Sequence, residues 1–176
     1  MKNLLRVVVS GTLFLAALAL PAVAGADTVD DKLAEKVIDS IQRYPNFGMF
    51  DDISIIVENR VVTLLGYVTR PMKKDEIGKR IAKIDGVREL NNEIKVLPLS
   101  PMDDDLRLRV ARAIYNHPSF WMYAQMAVPP IHIIVQGGRI TLTGRVGTQL
   151  DRTLAFTLAQ VPGSFGVKND LKIDGR

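Results

Sequence analysis

His117 and His132 are the only imidazoles in the 176 residues, and the chain contains no cysteine. A general base, a nucleophile or a metal ligand must therefore come from a short list. His117 follows a helical stretch, where a cation suits the negative helix end. His132 sits at an alternating position of an apolar strand, with the solvent face as its expected side. Asp51-Asp52 and Asp103-Asp104-Asp105 are the densest carboxylate groups. Helix-start charge and solvation account for them better than a metal does. No serine lies in a nucleophile-elbow sequence. Gly137-Gly138 reads as a turn, since no helix follows it to cradle a phosphate. No acid, base, nucleophile, cofactor or metal set emerges, so the expectation is a protein without enzymatic activity.

One segment has the chemistry of a surface instead. Arg107, Arg109 and Arg112 are followed closely by Phe120, Trp121, Met122 and Tyr123. Guanidinium groups meet phosphate, and amphipathic rings settle at headgroup depth. The segment is thus a candidate site for anionic lipid, with Arg107, Arg109, Arg112, Trp121, Met122 and Tyr123 as its contacts. The competing reading makes the arginines a solvated helix face and Trp121 a filler between domains.

The elements that position these residues come from a repeat. Ile53–Gly66 aligns without a gap on Ile131–Gly144, including Thr63 with Thr141. Upstream, Leu33, Val37, Ile41, Pro45 and Phe47 align on Leu106, Val110, Ile114, Pro118 and Phe120. Downstream, Ile77, Ile81, Ile84 and Gly86 align on Leu154, Leu158, Val161 and Gly163, and Asn92–Val96 aligns on Asn169–Ile173. Four blocks in one order mark an internal duplication.

Each copy reads as helix, strand, strand, helix, strand. Leu33, Val37 and Ile41 are four apart, on one helix face, with Asp30 or Asp31 as the expected cap. In the second copy Asp103, Asp104 and Asp105 have that place, and Pro45 and Pro118 should end the two helices. Ile53, Ile55 and Val57 alternate, as do Val62, Leu64, Gly66 and Val68. Asn59-Arg60 and Gly137-Gly138 lie where a tight hairpin needs positive φ. The fold class is α+β: two αββαβ domains, each a three-stranded mixed sheet covered by two helices. The domains should pack as a pseudo-twofold pair, because each alone has a modest core.

Residues 1–26 have a basic start (Lys2, Arg6), an apolar run and small residues, the layout of a secretory signal cleaved after Ala24 or Ala26. Residues 27–98 are then the first domain, 99–101 a linker and 102–176 the second. The compartment expected is the periplasm. With no cysteine there is none to carry a lipid, so a lipoprotein is not expected. From Asp27 to Pro98 there are 12 basic and 13 acidic side chains, and from Leu99 to Arg176 there are 9 and 6. The small excess gives no reason to expect nucleic acid as a partner.

The αββαβ order, Thr63-Leu-Leu-Gly66 with Gly86-Val87, and Thr141-Leu-Thr-Gly144 with Gly163 resemble the BON domain family. The whole of residues 27–176 is covered, and the arrangement is similar to the two-BON periplasmic proteins of the OsmY type. The resemblance implies a non-enzymatic role in maintaining the envelope under osmotic or other stress by binding phospholipid surfaces. Periplasmic or outer-membrane proteins are further expected partners. The alternative is a protein-binding or chaperone-like adaptor without direct lipid binding. Gly66 and Gly144 match the family's glycine, whose role is read as steric, and Gly86 and Gly163 are the other structural glycines. The second copy departs from the pattern by about five extra residues around Trp121–Gln125 and by Gly163-Ser-Phe-Gly166.

Overall fold

A computed structural model describes residues 24–174, with side chains from residue 29. The expected signal segment lies largely outside the described residues. The first domain runs α1 (Ala24–Gln42), β1 (Asp52–Glu58), β2 (Val61–Val68), α2 (Pro71–Ile81), β3 (Glu89–Asn92) and β4 (Lys95–Val96). The second runs α3 (Pro101–Tyr115), a 3-10 turn (Pro118–Phe120), α4 (Trp121–Ala124), β5 (Ile131–Gln136), β6 (Arg139–Val146), α5 (Gln149–Leu158), β7 (Gly166–Asn169) and β8 (Lys172–Ile173).

The middle strand of each sheet is β2 or β6. It pairs antiparallel with the preceding strand and parallel with the last one, which comes in two pieces. A parallel return needs a crossover, and α2 and α5 supply it. The break in the last strand has one cause in both copies. Asn92 donates to the Lys74 carbonyl and accepts from the Ile94 amide; Asn169 does the same with Arg152 and Leu171.

Each domain has its own core. Leu33, Val37, Ile41, Val62, Leu64, Ile77 and Ile81 close the first, and Leu106, Val110, Ile114, Phe120, Ile133 and Leu142 the second. Burying each such side chain is worth roughly 1.5–3 kcal/mol, so the repeated helix and strand faces carry the fold. The crossover helix of the second copy is shifted by one residue from the simple alignment. Its fully buried positions are Ala155 and Ala159, while Leu154 and Leu158 are only partly buried. The Asn169 bond to Arg152, matching Asn92 to Lys74, shows the same shift, and the turn after the helix absorbs it.

Two helix starts also differ from expectation. Asp30 lies well inside α1, and α3 is capped by Ser100, whose hydroxyl accepts from the Asp103 amide at 3.2 Å. Asp30 and Asp103 serve the hairpins instead. Asn59 and Arg60 have φ of 52° and 64°, and Gly137 and Gly138 56° and 73°, the turn that matches strand twist. Asp30 accepts both amides of the first turn at 2.6 and 3.0 Å; Asp103 accepts both of the second at 2.9 and 2.8 Å.

The domains meet through the Tyr44–Asp51 segment. Met49 and Phe50 pack on the second core, and the Met49 carbonyl accepts from the Ile133 amide at 2.7 Å. A strict twofold would require the Ala127 carbonyl to accept from the Ile55 amide in return. No such bond is made, so the packing is one-sided rather than reciprocal.

Candidate functional site

The six residues expected to face lipid divide in two. Arg107 is 4% exposed. Its guanidinium donates to the Val135 carbonyl at 2.6 Å and pairs with Asp104. It belongs to the wall of the second domain and is not available to a membrane. The reason is helical geometry: Leu106 and Val110 face the core, and residue 107 lies beside them at the edge of β5. Arg109 is half-exposed, bonded to Asp105 at 2.9 Å and to the Pro162 carbonyl at 2.6 Å. Arg112 is exposed.

The extra segment forms the 3-10 turn and α4. His117 opens it, accepting from the Ser119 amide at 3.3 Å. Phe120 is wholly buried and anchors the turn; Tyr123 packs beside it with ring centroids 5.9 Å apart. The Tyr123 hydroxyl accepts from the Gly147 amide at 3.0 Å. Tyr123 is thus a fastening rather than a free surface ring. With both anchored, Trp121 and Met122 are turned outward, 60% and 65% exposed. Exposed Met126 lies just beyond α4, and Leu150, 76% exposed, opens α5 three residues after Gly147. Exposed apolar side chains thus cluster at one end of the second domain. Met126 and Leu150 lay outside the sequence reading, since neither is beside the arginines; the extra segment was the only signal pointing there.

At Gly66 and Gly144 the backbone of the partner strand comes too close for a side chain. A Cβ on Gly66 (φ 116°) would lie 2.1 Å from the Asp52 carbonyl oxygen, and one on Gly144 (φ 100°) 2.0 Å from that of Pro130. Gly86 and Gly163 turn the chain before the last strand, at φ 106° and 83°. The Gly86 carbonyl accepts from Arg60 at 2.8 Å.

The remaining polar candidates are structural. Asp51 is fully buried, bonded to Lys73 at 2.6 Å and accepting from the Gly48 and Thr69 amides, both at 3.0 Å. Solvation does not describe it. His132 is not on a free face: its ring lies 5.7 Å from Phe47 of the first domain, and its Nδ1 is buried without a partner. Burial holds the Tyr115 phenol well above its ordinary value while it donates to the Ile131 carbonyl. The Tyr44 phenol is raised too, first by burial and then by its bond to Glu76. Among the described residues no group of three or more His, Cys, Asp or Glu could hold a metal. No helix among them is long and apolar enough to cross a membrane.

Comparison with known proteins adds the family. The model of the BON domain matches residues 29–98 and 103–175. No curated protein matches the sequence. Among the solved chains that align are two from CdsD, a structural protein of the Type III secretion system of Chlamydia trachomatis. One is 16% identical over 80% of this chain and 91% of its own, with a TM-score of 0.29. The other, a C-terminal domain, is 13% identical over 82% and 98%, with a TM-score of 0.30. Superpositions this loose carry nothing about fold or role.

Proposed function

The chain belongs to the BON domain family, two copies in tandem, and from that premise we propose that it is a non-enzymatic periplasmic protein of the bacterial envelope that binds anionic phospholipid surfaces through its second domain. The family is associated with phospholipid surfaces and is generally non-catalytic. The observation that carries the reading is the outward pair Trp121 and Met122, held on a turn whose own anchors, Phe120 and Tyr123, are buried or bonded. Met126 and Leu150 extend the apolar contact, and exposed Arg112 supplies the cationic group; Arg109 is held by Asp105 and the Pro162 carbonyl. An apolar insertion of this size combined with a cation gives reversible, salt-sensitive binding. A role in envelope maintenance under stress follows from that attachment.

Trp121 is the only tryptophan, so its emission reports on the site without a label. With phosphatidylglycerol vesicles at low salt, the protein should co-sediment and its emission shift to the blue. Both effects should weaken as salt rises. Arg112→Glu/Trp121→Ser should abolish sedimentation at moderate salt. Binding equal to the parent would overturn the reading. Arg107 is left intact here, because removing it disturbs the fold.

A further inference from the structure

The outer faces of the two sheets are built from different residues. Arg145 of β6 and Lys172 of β8 are direct partners in a parallel pair, so two cations stand side by side on the second sheet. In the first domain the matching partners are Tyr67 and Lys95. Like charges set opposite one another work against the pairing of their strands. Little within the chain offsets this. Arg145 reaches Asp174 at 3.4 Å, a contact between exposed groups and of small value. Lys172 has no ion pair among the described residues.

Both cations line a cleft of about 980 Å3 between the domains. Small-molecule sites run from roughly 300 to 1,000 Å3. The two sides of the cleft differ. The first domain lines it with Ile38 of α1, Ile53 and Ile55 of β1, and Phe47, and Val128 and Pro130 add apolar surface from the second. Ile38 stands 44% exposed on this wall. The second sheet contributes His132 and Thr143 beside Arg145 and Lys172. Most other charges of the lining are already matched. Arg43 is held by Asp39 at 2.9 Å, and Asp170 by Lys168 at 2.6 Å. Asp52, which also lines the cleft, has no ion pair among the described residues.

We propose that this cleft binds one molecule of an anionic amphiphile, a single alkyl chain with an acidic head such as a phosphate. The head sits between Arg145 and Lys172, where it replaces their mutual repulsion with charge-assisted bonds. The chain lies along Ile38, Ile55 and Phe47 and removes their exposed apolar surface from water. Neither half is sufficient. Two exposed cations hold a small free anion weakly, and a partly polar cleft holds a bare alkyl chain poorly. Asp52 repels the head and so limits the affinity. The walls come from both domains, so an occupant ties them together. The bond from the Ile133 amide to the Met49 carbonyl across the seam should then open less often. The site uses neither Trp121, Met122 nor Arg112, and it does not rest on their contact with a membrane.

The probe is dodecyl phosphate, kept below the concentration at which it forms micelles and titrated calorimetrically into the chain carrying both domains. Saturable binding of one molecule per chain is expected, with slower hydrogen exchange at the Ile133 amide. Inorganic phosphate and dodecyl maltoside each present one half of the ligand and should bind at least about tenfold more weakly. Arg145→Glu/Lys172→Glu and Ile38→Asp should each weaken dodecyl phosphate by about tenfold or more. Asp52→Asn should tighten it, a change of opposite sign that damage to the fold does not produce. Arg112→Glu/Trp121→Ser should bind dodecyl phosphate as the parent does, even where it no longer sediments with vesicles. The proposal is overturned if the parent shows no saturable binding, or if either half-ligand binds as tightly. Unchanged affinity in Arg145→Glu/Lys172→Glu, or an Asp52→Asn that fails to tighten binding, overturns it too. So does loss of binding in Arg112→Glu/Trp121→Ser, which would place the amphiphile at the lipid-facing end.

Discussion

The junction between middle strand and crossover helix is built differently in the two domains. In the first, Asp51 is buried between Lys73 and the amides of Gly48 and Thr69. In the second, Asp51 is matched by Pro129, Lys73 by Asp151 and Thr69 by Gly147. The Gly147 amide is met by the Tyr123 hydroxyl, and Thr148 caps α5, where α2 has no side-chain cap. An ion pair has been exchanged for a neutral bond brought in by the extra segment. The exchange replaces the buried ion pair with a hydroxyl bond, leaves the Asp151 carboxylate accepting from Thr148 at 2.7 Å, and brings in the short helix that carries Trp121 and Met122. The same duplicated frame thus makes a closed, charged junction once and an apolar surface once.

The largest expected effect tests the ion pair. Asp51→Ala leaves Lys73 without its partner and two amides without acceptors, and should cost the first domain about 3–5 kcal/mol. Chemical denaturation followed by domain-resolved hydrogen exchange would show the loss. An effect below about 1 kcal/mol would mean the junctions differ in chemistry but not in strength. Next, Gly66→Ala and Gly144→Ala should each cost about 3 kcal/mol, in the first and second domain respectively. Their likeness sharpens the comparison, since the Cβ meets backbone in both copies. A clearly smaller loss at Gly144 would show that the second sheet can open at that point.

Tyr123→Phe should cost only about 1 kcal/mol, one neutral hydrogen bond. Tyr115→Phe should cost a similar amount near neutral pH, by freeing the Ile131 carbonyl. Its effect should change with pH. Tyr115 holds its proton above the ordinary phenol value near 10. Below that value both folded and unfolded chains are protonated and the contribution is complete. Above it the unfolded chain ionises first, and stability falls as pH rises. Tyr115→Phe should therefore flatten the alkaline decline of the second domain, measured as midpoint against pH from 9 to 12. An unchanged slope would remove Tyr115 from the account.

The frame was legible because its signals are periodic and occur twice. Leu33, Val37 and Ile41 with their counterparts mark helix faces, and Gly66 and Gly144 mark a close approach. The misreadings share a cause: composition does not say which face a polar residue takes. Arg107 looks like a surface cation, yet its place beside Leu106 puts it under the edge of β5. Asp30 and Asp103 look like helix caps, yet they bind hairpin amides far along the chain. Their alignment with each other was the available clue. The one-residue shift of α5 was hidden because Leu154 and Leu158 fit the apolar pattern as well as Ala155 and Ala159 do. The partner of a buried polar group comes from another element, and a single sequence holds no local trace of it.

The smallest expected effect on stability separates the roles within the extra segment. Phe120 and Trp121 are adjacent, yet one is wholly buried and the other 60% exposed. Trp121→Ser should change the stability of the second domain by less than about 0.5 kcal/mol, because an exposed side chain leaves no cavity and no unpaired group behind. If Trp121 instead filled the space between domains, its loss would cost several times more and would alter hydrogen exchange at Ile133, the amide bonded to Met49. Thermal unfolding together with that single amide decides between the two. A near-neutral Trp121→Ser with an unchanged Ile133 leaves the ring free for a lipid surface. A destabilised variant with faster Ile133 exchange assigns it to the seam between domains and withdraws the apolar half of the proposed membrane contact.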